Sequence, residues 1–230
     1  MKPAATNIPT LPPRRLSGRR ARRQAETRAR ILRAALDLFA RQGFFSTTVE
    51  QITEAADVGK GTFFNYFPSK EHVLAGFGEV QIAKIRAARE EARGRGTSMR
   101  QIWHNLLQEL AREPARSPGL LPSLIVVNLS SEEVGKVAGQ NLARGRQELA
   151  HLIAEAQGRG QIRPNLKPAQ VARLFQQTFL GTMLLSALDP SVQLLSWLDT
   201  TFDFFWSSVA PRRPTRAQQP AVKSQGRSSR

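Results

Sequence analysis

Apolar residues recur three and four apart through most of this chain, and glycine- or proline-containing breaks divide the pattern into segments. Ile31, Leu32, Ala35, Leu38 and Phe39 form one stripe and predict a helix over Glu26–Gln42, closed by Gly43 just past its end. Val49, Ile52 and Ala56 give a short helix from about Thr48 to Ala55. Asp57-Val58-Gly59 reads as a tight turn in which Val58 plugs the angle and Gly59 takes the turn's dihedrals. A seven-residue helix follows over Lys60–Tyr66, with Phe63 and Phe67 inward. It is too short to persist without a scaffold. After Pro68, with Ser69 as cap, a long helix spans Lys70–Arg93. Further helices are expected over Ser98–Arg112, Leu120–Leu129, Glu132–Gln157, Lys167–Leu188 and Ser191–Val209, with Pro114, Pro118 and Pro122 breaking the pattern. No strand and no repeat is evident, so the fold class is all-α with about nine helices.

The two short helices joined by a turn have the layout of a helix-turn-helix. Thr47-Thr48-Val49-Glu50 reads as a capping box, the Thr47 hydroxyl accepting from the Glu50 amide. The outward face of Lys60–Tyr66 would hold Lys60, Gly61, Thr62, Asn65 and Tyr66, and the side chains of Lys60, Thr62, Asn65 and Tyr66 have no evident stabilising use there. Lys70, beside a capped helix N-terminus, has the chemistry of a phosphate contact.

From Gly43 to Glu71 the chain resembles the DNA-binding domain of the TetR family of transcriptional repressors. The family signature is G-[FY]-x-x-[ST]-T-[VM]-x-x-I-A-x-x-A-G-V-S-x-G-[TS]-[FL]-Y-x-[YH]-F-x-[SN]-K-E. Gly43, Phe44, Thr47, Thr48, Val49, Ile52, Ala55, Ala56, Val58, Gly61, Thr62, Phe63, Tyr66, Phe67, Ser69, Lys70 and Glu71 fall in register. Thr53 stands where Ala is usual and Gly59 where Ser caps the recognition helix. Phe64 replaces a Tyr, removing a hydroxyl that could bond phosphate. The resemblance implies DNA contacts from Thr47, Thr48, Lys60, Gly61, Thr62, Phe64, Asn65, Tyr66 and Lys70. It also implies a repressor whose last two helices pair across a two-fold axis.

Charge refines this picture. The chain has 34 Lys and Arg against 18 Asp and Glu, a formal net charge of +16. Residues 1–25 and 211–230 carry much of the excess without one acid, so both read as disordered basic tails, the first suited to phosphate attraction. The domains expected between them are a helix-turn-helix domain over 26–72, its motif at 48–67, and a helical ligand-binding and dimerisation domain over 73–210. There is no cysteine, the three histidines are scattered, and no apolar run reaches membrane-spanning length. A cytoplasmic protein with no metal, no cofactor and no membrane partner is the expectation. No catalytic constellation stands out; Asp189, Asp199 and Asp203 have no histidine partner in sequence.

The last two helices carry more apolar surface than one seam needs, which points to a second copy of the chain. Val171, Leu174, Gly181, Leu185, Leu198, Phe202 and Phe205 are the candidate dimer residues. Trp103, Leu107, Leu121, Leu124, Ile125, Asn128, Phe175, Phe179 and Met183 are the candidate lining of a cavity for a small, mostly apolar effector, with Trp103, His104 and Asn128 as polar handles. The reading that follows is a homodimer on an inverted-repeat operator in double-stranded DNA, released by that effector. The alternative is a ligand-independent architectural DNA binder, which the basic tails permit.

Overall fold

The structure, a computed structural model, describes residues 18–94, 96, 98–117, 119–189 and 191–211. The described residues form nine helices and no strand: α1 (Gly18–Gln42), α2 (Val49–Ala55), α3 (Lys60–Tyr66), α4 (Lys70–Arg93), α5 (Met99–Arg116), α6 (Leu120–Ser130), α7 (Glu132–Gly158), α8 (Pro168–Leu188) and α9 (Leu194–Val209). The remainder of both expected tails lies outside the described residues.

Two elements depart most from the sequence expectation, beside α9, which begins at Leu194 rather than Ser191. Helix α1 begins at Gly18, eight residues before Glu26. The stretch lacks apolar periodicity, but Arg and Ala are strong helix formers. Arg22 also bonds Glu26 one turn on at 2.8 Å. Helix α5 runs through Pro114 to Arg116. A proline inside a helix removes the N–H owed to the carbonyl four residues back. Here that carbonyl, of Leu110, accepts from Gln81 Nε2 of α4 at 3.1 Å, and the neighbouring Glu109 carbonyl accepts from Lys84 Nζ at 2.7 Å. Burial pushes the Lys84 ammonium below its usual range. Pro122 sits in the first turn of α6, where a missing N–H is harmless.

Two apolar cores result. The body core is built on Trp103, Leu106, Leu152, Ile153, Phe175, Leu198 and Phe202. Helices α4 and α7 cross closely at Gly145, where an added Cβ would meet Ile85 at 3.4 Å. Arg86 bonds Glu148 at 2.7 Å and Arg89 bonds Glu155 at 2.8 Å along the same seam. The Arg86 guanidinium lowers the Glu148 carboxyl, with Arg89 contributing.

The second core holds the head: Ile31, Ala35, Phe39, Ile52, Phe63, Phe67 and Val73, together with Leu120 and Val127 of α6. Helix α6 therefore belongs to both units. Ser123 Oγ donates to the Phe39 carbonyl at 2.7 Å, and Gly119 approaches Ala40 so closely that any Cβ would strike its carbonyl oxygen. The head is thus held by α4, which continues from it, and by α6, which clamps the end of α1.

Candidate nucleic-acid interface and effector cavity

Local hydrogen bonding shapes the helix-turn-helix. The capping box lies one residue further along than expected. Thr48 is the N-cap of α2; its hydroxyl accepts from the Gln51 amide at 3.2 Å and Gln51 Oε1 accepts from the Thr48 amide at 2.9 Å. Thr47 is turned inward, 1% exposed, and its hydroxyl donates to the Gly43 carbonyl at 2.7 Å. Its candidacy as a DNA contact is corrected: it braces the loop. Thr53 also finds a use for its hydroxyl, donating to the Glu50 carbonyl at 2.8 Å.

In the turn, the left-handed residue is Asp57 (φ 50°), whereas Gly59 is extended (φ −74°) and caps α3 without a side-chain bond. The expectation that Gly59 supplies the unusual dihedrals is therefore corrected. Asp57 occupies the signature's glycine position, a fourth departure beside those at Thr53, Gly59 and Phe64. Val58 packs half-buried against the head core as expected.

Helix α3 buries Phe63 and leaves Lys60, Gly61, Phe64 and Asn65 exposed, with Thr62 and Tyr66 half-buried. Phe64, half exposed, presents a bare ring outward. Lys60 forms an ion pair with Glu50 of α2, and this bond holds the Glu50 carboxyl below its ordinary range.

Lys70 is the largest correction at this site. Its ammonium donates to the carbonyls of Phe44 (3.0 Å), Thr47 (2.9 Å) and Phe45 (3.4 Å) and lies 4.5 Å from the centre of the Phe44 ring. Three donors on three carbonyls leave none for a phosphate. Lys70 instead ties α4 to the α1–α2 loop. Ser69, expected as a side-chain cap, contacts His72 Nδ1 at 3.0 Å and makes no cap bond.

In the body, a cavity of about 580 Å³ opens between α4, α6, α7 and α8, within the range of small-molecule sites. Leu121, Leu124, Ile125, Asn128, Phe175, Phe179 and Met183 line it. Trp103 and Leu107 do not: both are fully buried core, Trp103 stacking behind Phe175 at 5.1 Å. Residues missed by the sequence reading come from α4 and α7, including Leu74, Phe77, Gln81, Ile82, Asn141 and Leu149. They looked like ordinary helix-seam positions, and only the packing shows that they leave a space. His104 lies elsewhere, on the α5–α9 seam, with Nε2 2.8 Å from Asp199; Asp199 thus has a histidine partner that the sequence order hid. Gln108 shares the same oxygen at 2.6 Å. A second, wider cleft is walled by Arg93, Arg100 and Arg159. There Arg93 and Arg100 are already paired with Glu90 and Asp203.

The proposed dimer residues divide. Leu174 and Leu185 are 58% and 61% exposed, in one stripe of α8 that extends to Leu188, with Gly181 half-buried between them. Val171, Leu198 and Phe202 are at most 4% exposed and belong to the core of a single copy. Phe205 is half-buried, its ring against Trp103 at 5.3 Å. On α9 the outward apolar residues are instead Leu195, Trp197 and Phe204.

Residues 31–77 match the family model of bacterial regulatory proteins, tetR family. That match spans the helix-turn-helix head alone. It is 34% identical over 140 residues to the transcriptional regulator TcmR of Streptomyces glaucescens, across 53% of this chain and 61% of that protein. It is 40% identical over 79 residues to the regulator RutR of Escherichia coli K12, across 33% and 37%. The chain thus spans less than two thirds of the length of the curated relatives it matches first. Among solved structures, the tetR-family FadR of Thermus thermophilus in complex with lauroyl-CoA is 28% identical, with a TM-score of 0.56 over 82% of this chain and 98% of that one. A tetR-family regulator from Syntrophomonas wolfei has the same fold at 20% identity and a TM-score of 0.66. The tetR-family match coincides with the head; the cavity and the exposed apolar faces lie mostly or wholly beyond it.

No helix among the described residues is long and apolar enough to cross a membrane.

Proposed function

We propose that this chain is a tetR-family DNA-binding transcriptional repressor that acts as a homodimer on an inverted-repeat operator and is released by a small, mostly apolar effector. The observation that carries the reading is the position of the cavity. Its wall includes Leu121, Leu124 and Asn128 of α6 and Leu74 and Phe77 of α4. The same two helices contribute Leu120, Val127, Val73 and Leu74 to the head core. An effector that fits the cavity better when α4 and α6 are displaced therefore favours a displaced head, and by linkage weakens DNA binding.

DNA contacts come from Thr48 and from Gly61, Thr62, Phe64, Asn65 and Tyr66 on α3, with Lys60 reaching phosphate once its pair with Glu50 opens. The Phe64 ring suits a thymine methyl better than a phosphate. One seven-residue helix reads few bases, so two heads about 34–36 Å apart are needed for a specific site. The outward stripe of Leu174, Gly181, Leu185 and Leu188 on α8, beside Trp197 and Phe204 on α9, is the surface that would join the copies.

Selecting genomic fragments with the purified chain and sequencing them tests this reading. The expected outcome is a palindrome bound by two copies, lost when Leu185→Asp separates them. Fragments without a common inverted repeat would instead favour ligand-independent, architectural binding.

A further inference from the structure

The cavity also constrains the charge of what fills it; this inference rests on the effector reading above. No Lys, Arg or His is among the described residues that line it, and the one ionisable side chain there is Glu71. Glu71 belongs to the cavity face of α4: Glu71, Leu74, Ala75, Gly78, Ile82 and Ile85 share one side of that helix, and all line the space. Glu71 is half-buried, so its carboxylate is neither sealed in the core nor wholly in solvent. None of the ion pairs among the described residues involves it. The amides of Gln81 and Asn128 offer a ligand nothing further. Their nitrogens bond the Leu110 and Leu124 carbonyls at 3.1 and 2.7 Å, and their oxygens are buried without a partner. Arg146 bonds Gln176 Oε1 of the wall at 2.8 Å but does not itself line the space. Phe77, Phe175 and Phe179 are also in the wall, and aromatic faces attract cations.

We infer that the cavity of this chain selects a lipophilic cation, an amine or quaternary ammonium whose apolar body lies among the leucines and phenylalanines and whose charge sits beside Glu71. An anion of the same shape would meet a carboxylate and no cation in the wall, where water screens the repulsion less than at an open surface. A neutral molecule would fill the same space without the attraction. The charge of the whole chain works the other way. At +16 it repels cations and draws anions, so a preference for a cation is a signature of this one site. The position also bears on release. Glu71 follows Lys70, whose ammonium holds the α1–α2 loop, so a cation beside Glu71 acts on the turn of α4 that joins head to body.

The test is calorimetric binding to the full chain, without DNA and at one salt concentration, of probes that share a decyl chain and differ in charge: decyltrimethylammonium, 1-decanol and decanoate. The cation is expected to bind about tenfold more tightly than the alcohol, and the anion more weakly than either. Glu71→Gln keeps the shape of the side chain and removes its charge. It is expected to lower the cation-to-alcohol ratio by about tenfold. Alcohol binding should persist in this variant, which shows that the cavity is intact. Equal or tighter binding of 1-decanol or decanoate by the wild-type chain, a ratio unmoved by Glu71→Gln, or no binding of any probe would overturn the inference. The effector reading fails separately, if the cation binds as expected and operator affinity does not change.

Discussion

The head and the body of this molecule are finished to different degrees. In the head, Ile31, Ala35, Phe39, Ile52 and Phe63 are fully buried, and Lys70 spends its three donors on one loop. The body contains an open cavity, two orphaned amide oxygens and a run of outward leucines and aromatics on α8 and α9. Unpaired buried oxygens and uncovered apolar faces are unfavourable in isolation. The contrast separates a tightly packed head from a body whose open cavity and outward apolar faces are what the proposed effector and second copy would occupy.

Enlarging one side chain in each region sets the comparison at its sharpest. Ile52→Phe in the head has no room and is expected to destabilise by about 1–3 kcal/mol. Ile125→Phe, on the cavity wall, is expected to stabilise by about 0.5–2 kcal/mol while weakening ligand binding. Denaturant titration of both variants checks the opposite signs. If both destabilise equally, the cavity is not free space in solution.

Lys70→Met keeps the apolar stem and removes the ammonium. It is expected to lower head stability by about 1–2 kcal/mol, since three carbonyls lose their donor. Binding to DNA well below the melting temperature should change little. A uniform loss of affinity for all DNA at that temperature would instead restore a phosphate role for this lysine.

Much of the head was legible in sequence because its pattern is local: caps, the turn and the inward Phe63 and Phe67 follow from spacing over a few residues. What failed there failed for identifiable reasons. Thr47 and Thr48 both precede a Glu or Gln by three residues, so the cap's register is ambiguous until Thr47 is seen packed inward. Lys70 meets carbonyls 23 to 26 residues earlier, a relation that no local motif expresses. Arg19 to Arg23 lack an apolar stripe, yet continue a helix anchored downstream. In the body, α8 and α9 are apolar on several faces. Spacing alone could not tell Val171, Leu198 and Phe202, which pack inward, from Leu174 and Leu185, which do not. The cavity was half legible, through α6 and α8, because hydrophobic positions on α4 and α7 look alike whether or not they touch a neighbour.

Two smaller changes sharpen the account of the turn. Asp57→Gly should raise head stability by about 0.5–1 kcal/mol, because the left-handed conformation is strained for Asp and easy for Gly. Gly59→Ser should add a few tenths of a kcal/mol by giving α3 a side-chain cap. Thermal denaturation in which Asp57→Gly lowers stability would show that this conformation is not the one adopted.

The most direct measurement is the ratio of affinities for the selected operator and for random DNA of equal length, at one salt concentration, in wild type, Asn65→Ala and Lys70→Met. The account expects the wild-type chain to prefer its operator at least about a thousandfold. Asn65→Ala should lower that ratio by roughly tenfold to a hundredfold, and Lys70→Met should leave it unchanged. A wild-type ratio near one, or a ratio untouched by Asn65→Ala but reduced by Lys70→Met, would contradict the assignment of reading to α3 and of bracing to Lys70.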